Sequence, residues 1–127
     1  MTVTTTEGIR VSVKAEPWPE RSNPDAGQYA FTYQVEISNT GEVAAQLMSR
    51  HWLITDGSGH QEEVRGEGVV GKQPRLEPGQ SFSYTSWAML RAPFGSMRGS
   101  YFLVRPDGTQ FEAEIGEFVL ALPNALH

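Results

Sequence analysis

The stretch whose spacing comes nearest to chemistry is Gly66-Glu67-Gly68-Val69-Val70-Gly71-Lys72-Gln73-Pro74. It satisfies G-x-G-x-x-G and the first seven positions of G-x-x-x-x-G-K, patterns that hold phosphate on backbone N–H groups. A dinucleotide site also needs a helix opening after the glycines, so that pyrophosphate meets the free N–H groups and dipole of its terminus. Pro74 and then Pro78-Gly79 leave no room for one. Gln73 stands where a phosphate loop places the Ser or Thr that ligates magnesium, and Glu67 puts negative charge where phosphate would lie. What remains is an anion nest made by the amides of Gly66, Gly68 and Gly71, with Lys72 as counter-charge. The plainer reading, a bulged loop between strands, is favoured.

Other chemistries find less support. Without cysteine, a nucleophile would have to be Ser or Thr, yet G-x-S-x-G is absent and three histidines are available as bases. His51, His60, Glu62 and Glu63 fall on either side of a predicted hairpin, so one His and one carboxylate can meet across it. No H-x-H or H-E-x-x-H pair accompanies them, and His127 is the last residue. Glu112 and Glu114 alternate with Phe111 and Ile115, which places both carboxylates on a solvent face where they protect an edge. No catalytic residue, metal-ligand set or cofactor is assigned. Three aromatics lie outside the inward pattern: Trp18 between two prolines, Trp87, and Phe94 after Pro93. They either cap the ends of the fold or, if exposed together, form a partner-binding patch.

The elements that must carry these residues read as strands. Tyr29, Phe31, Tyr33, Val35 and Ile37 share one face of a half-buried strand, and Ile9, Val11, Val13 and Ala15 repeat the alternation before it. Ala44 to Thr55 is more continuously apolar, with Leu47 and Leu53 on one face and Met48, Trp52 and Ile54 on the other, so a bulge or a two-sided environment is expected there. Arg50 and Trp52 then share a face and His51 takes the opposite one. Trp52 is expected in the core, with the Arg50 guanidinium directed to the rim, towards a carboxylate or loop carbonyls. Asp56-Gly57-Ser58-Gly59 reads as a turn, followed by a strand over 60–64. Ser81 to Thr85 alternates with Phe82 and Tyr84 inward, and Ser86-Trp87 reads as a break of phase. Tyr101 to Val104 and Phe111 to Ile115 form the last hairpin. Seven or eight short strands without helical periodicity predict an all-β, antiparallel sandwich of immunoglobulin-like or fibronectin type III-like kind, with a small barrel as runner-up. Its expected core includes Phe31, Tyr33, Val35, Ile37, Phe82, Tyr84, Leu103, Phe111 and Ile115.

A chain of 127 residues with 39% hydrophobic residues fits one domain, 1–127, with a core of its own. With no cysteine, packing alone must stabilise it. A net charge of −5 disfavours nucleic acid as a partner, and Arg91, Arg98 and Arg105 are too dispersed to argue otherwise. No apolar run is long enough to span a membrane, and the Thr-rich start lacks a signal-peptide core, so a cytoplasmic address is expected.

Taken in order, Val35-Glu36-Ile37-Ser38-Asn39-Thr40-Gly41, Gln46-Leu47, Arg50-His51-Trp52, the Gly66 to Pro74 stretch, Leu76-Glu77-Pro78-Gly79 and Met97-Arg98-Gly99-Ser100-Tyr101 resemble the bacterial ApaG proteins over nearly the whole chain. The resemblance implies a fibronectin type III-like sandwich and a domain that recurs in eukaryotic F-box proteins and a polymerase-associated protein as an interaction module. It also implies a link to cobalt and magnesium handling and to diadenosine tetraphosphate metabolism. The expected function is a non-catalytic module binding another protein. The alternative is a phosphate, pyrophosphate or nucleotide binder at the Gly66–Gly71 loop, with weak divalent cation binding as a further possibility.

Overall fold

The computed structural model describes residues 1–123. Nine strands form two antiparallel sheets: β1 (Thr2–Thr6), β2 (Ile9–Pro17), β3 (Tyr29–Asn39), β4 (Ala45–Asp56), β5 (Gln61–Glu67), β6 (Arg75–Leu76), β7 (Ser81–Leu90), β8 (Phe94–Val104) and β9 (Gln110–Ala121). The first sheet runs β1-β2-β3-β7 and the second β5-β4-β8-β9, with the short β6 also on β4. Two faces therefore enclose one core, as the alternation predicts, and the barrel reading is set aside. No helix among the described residues is long and apolar enough to cross a membrane.

Seven or eight strands become nine because β1 and β6 carry little apolar alternation. β1 is Thr-Val-Thr-Thr-Thr, held by its ladder to β2 and by side-chain bonds to β9, where Glu114 N–H donates to Thr6 Oγ1 at 3.1 Å. β6 is two residues long and pairs with Ala45 and Gln46. The expected phase break at Ser86-Trp87 does not occur. β7 stays in register with β3 from Ser81 to Leu90. Ser86 lies opposite Tyr33 and faces inward in phase with Tyr84 and Ala88.

The core is built from inward residues of both sheets, among them Phe31, Val35, Ile37, Leu47, Trp52, Tyr101, Leu103 and Ile115. Of the expected core, Phe82 alone is only half-buried, near the start of the edge strand β7, though it packs against the cluster. Of the two expectations for β4, the bulge is present. Leu47 pairs with Leu103 and Ser49 with Phe102, so Met48 is the extra residue that lets Leu47 and Trp52 both point inward.

Candidate functional site

Two regions carry the side chains singled out in the sequence. The first is the glycine-rich stretch. Gly66 lies opposite Arg50, Glu67 ends the ladder of β5 opposite Ser49, and the chain then makes a two-residue hairpin at Val70-Gly71, both at positive φ. Such a turn matches the twist of its flanking strands, and Val69 and Lys72 close it with mutual backbone bonds of 2.8 and 2.9 Å. Gly68 N–H donates to the carbonyl of Met48 at 2.9 Å. The amides of Gly68, Val69 and Lys72 are therefore engaged by carbonyls of the protein itself. A strand, β6, follows the loop where a dinucleotide site would open a helix.

Beneath the loop sits Arg50. Its Nη1 donates to the carbonyls of Glu67 at 3.0 Å and Gly68 at 2.8 Å, which is the rim role expected from the alternation. The guanidinium lies flat against Gly66, where an added Cβ would come within 2.7 Å of Cζ. Gly66 is thus a packing requirement for Arg50 as well as a loop position. Arg50 also lies near the inward hydroxyls of Tyr33, Tyr84 and Tyr101. Burial pushes the phenols of Tyr84 and Tyr101 well above their ordinary value, and the two hydroxyls bond to each other across the sheets.

On the outer face of the second sheet, His51 Nε2 is 3.3 Å from Glu63 Oε2, the meeting across the hairpin that the sequence allows. Glu63 Oε1 also accepts from Arg65 Nε at 3.1 Å. His51 first and Arg65 second hold the Glu63 carboxyl below its usual value. An open depression of about 430 Å³ beside them is lined by Ser49, Arg65, Ser100 and Glu112. Among the described residues, no three His, Asp or Glu side chains converge as a metal ion would require. His127 lies outside the described residues. The arginines are dispersed: Arg91 follows β7, Arg98 is exposed within β8, and Arg105 packs over the ring of Phe111 at the far end of the fold.

The second region is aromatic. The loop between β2 and β3 folds back over the first sheet: Trp18 N–H donates to the carbonyl of Ala30 at 2.8 Å, and Ser22 Oγ accepts from Ala30 N–H. Two short 3-10 turns, each begun by a proline, fix this path. Trp18 then meets Trp87 edge to face at 6.2 Å, with the Arg21 guanidinium 5.5 Å above the Trp18 ring. Trp87 is 55% exposed and Met89, two residues along the same face, 39%. Phe94 does not join them. It lies on the second sheet, and its ring covers Gly57 in the β4–β5 turn. Sequence reasoning did not single out Met89, although the alternation that places Trp87 outward places Met89 outward too.

The ApaG domain model matches residues 19–105, more than half of the chain. Protein ApaG of Ralstonia nicotianae is 56% identical over 119 residues, covering 94% of this chain and 96% of that protein. Protein ApaG of Anaeromyxobacter dehalogenans is 54% identical over 127 residues, the full length of both. The crystal structure of an ApaA protein from Bordetella pertussis superposes with a TM-score of 0.89 at 50% identity, covering 95% of this chain and 97% of the other. The glycine-rich loop and the Trp18–Trp87 face thus belong to a sandwich shared along nearly its whole length with these proteins, and the chain is a member of the ApaG domain family.

Proposed function

We propose that the chain is a non-catalytic binding module that docks a partner protein on the face carrying Trp18 and Trp87. The observation that supports this is the tryptophan pair itself, with Trp87 more than half exposed beside Met89. Interfaces are enriched in tryptophan, methionine and arginine, and Arg21 stacked on Trp18 completes that composition. The hydrogen bonds of the glycine-rich loop favour the same reading, because two of the amides that an anion would need, those of Gly68 and Lys72, already serve the fold. On this reading the family's links to cobalt, magnesium and diadenosine tetraphosphate run through the partner.

Affinity capture with the wild-type chain and Trp87→Ser tests the proposal. A specific partner should be recovered at least about tenfold less by the variant, as for an interface anchor, with little change in the variant's stability. Equal recovery by both proteins would remove the tryptophan face from consideration. Titration with pyrophosphate, ATP and diadenosine tetraphosphate is the second arm. Shifts confined to the amides of Gly66, Gly68, Gly71 and Lys72 would move the assignment to anion binding.

A further inference from the structure

The fold exposes sheet edges of very different character. β1 and β9 lie together: Thr6 Oγ1 accepts from Glu114 N–H, and Thr2 Oγ1 donates to the carbonyl of Glu117. β5 is an edge studded with charge, Glu62, Glu63, Arg65 and Glu67 in seven residues. Charge of this kind keeps foreign strands away. β7 has no such protection. Its ten residues, Ser81 to Leu90, include no charge and no proline, and its ladder with β3 runs without a bulge. Its other side pairs with no strand among the described residues. A long, uncharged, regular edge is the kind that proteins normally disarm unless another strand is meant to join it.

Beside that edge the two sheets stand apart. β7 and β5 are the outer strands on the same side of the sandwich, and between them lies a slot of about 330 Å³. Trp52, Ile54, Val64 and Met97 form an apolar strip of its lining, beside Tyr33, Ser86 and the Arg50 guanidinium that the carbonyls of Glu67 and Gly68 already hold. Glu62 lies at its mouth, exposed, on the inward side of β5 opposite Ile54. A strand added to β7 would continue the first sheet over this slot. Its alternate side chains would enter the slot against Trp52, Ile54, Val64 and Met97, with one of them facing the Glu62 carboxylate.

We infer that β7 receives an extended segment of a partner protein by strand addition, its inward side chains apolar with one Lys or Arg set against Glu62. This inference rests on the protein-binding reading above and specifies the partner's chemistry. The outward side chains of the same segment would run alongside Trp87 and Met89, so tryptophan face and free edge form one continuous surface.

A displayed library of random dodecapeptides, selected against the full chain, supplies the probe. Selected peptides should alternate apolar residues with one basic residue on the apolar face. A synthetic peptide of that sequence should slow amide hydrogen exchange within residues 81–90. Glu62→Lys, an exposed change that leaves the core intact, should weaken the peptide about three- to tenfold by charge reversal. Absence of any selected binder, protection that spares β7, or indifference to Glu62→Lys would overturn the inference. Binding abolished by Trp87→Ser without protection of β7 would overturn strand addition while leaving the tryptophan face as an interface. Indifference to both substitutions would remove both readings.

Discussion

Asp56 closes β4 as a buried carboxylate, and its surroundings explain why it can be buried. Oδ1 accepts from the backbone and hydroxyl of Ser58 and from His60 N–H, and Oδ2 accepts from Arg91 N–H at 2.9 Å. Burial pushes this carboxyl up, but the bonds from Ser58, Arg91 and His60 outweigh it and hold the group below its ordinary value. A carboxyl depressed in the folded state adds stability above its unfolded value, near 3.9, and loses it as pH falls through the folded value. Asp56→Asn cannot accept from Arg91 N–H through its amide nitrogen, so it should lose about 1–3 kcal/mol at neutral pH. That deficit should shrink as pH falls below about 4, measured by urea unfolding of both proteins. Arg50 allows a second test. Arg50→Met keeps the aliphatic stem but frees the carbonyls of Glu67 and Gly68, so a loss of about 1–2 kcal/mol is expected with the fold intact. Gly66→Ala should lose a similar amount, because its methyl meets the guanidinium, and the two substitutions together should cost less than their sum. Unchanged melting of Arg50→Met together with lost capture of a partner or lost binding of a phosphate ligand would make Arg50 a binding residue instead of a structural one.

Elements explain what the sequence shows and what it hides. β3 and β9 are legible because one face is buried and the other wet, which writes a period of two into the residue types. β1 is hidden because threonine fits a half-covered edge without any apolar alternation. Ser86-Trp87 misleads for a related reason. A serine faces in beneath Tyr33 and a tryptophan faces out beside Trp18, the reverse of the usual types. The meeting of Trp18 with Trp87 could not be read at all, since it depends on how the eleven-residue connection from Trp18 to Gln28 folds back over the sheet. A bulge in β4 was legible as one of two alternatives, but neither its place at Met48 nor its use was. The Met48 carbonyl accepts from Gly68 N–H and from Gln73 Nε2 at 3.0 Å, so the extra residue anchors the glycine-rich loop. Deleting Met48 restores regular alternation with Leu47, Arg50 and Trp52 still inward. The deletion should therefore fold, while amide exchange in residues 66–73 becomes faster than in the rest of the second sheet.

At the scale of the whole molecule, two sheets are held face to face by apolar packing and by a hydrogen bond between the hydroxyls of Tyr84 on β7 and Tyr101 on β8. Both side chains are buried, Tyr101 completely. Losing one hydroxyl strands the other without a partner in the core, whereas losing both removes the unmet demand along with the bond. Tyr84→Phe and Tyr101→Phe should thus each lose about 1–3 kcal/mol, and the double variant should lose little more than either single one. The pH dependence is an independent test of the same pair. Burial raises both phenols in the folded protein above the unfolded value near 10, so the folded state keeps protons that the unfolded state releases. Their contribution is fully present below about pH 10 and is lost as pH rises beyond it. Melting temperatures measured between pH 8 and 11 should fall steeply at the alkaline end for the wild type and less steeply for Tyr84→Phe/Tyr101→Phe. Equal slopes for the two proteins would mean that the pair ionises as readily inside the sandwich as outside it, and that the core between β7 and β8 is open to water.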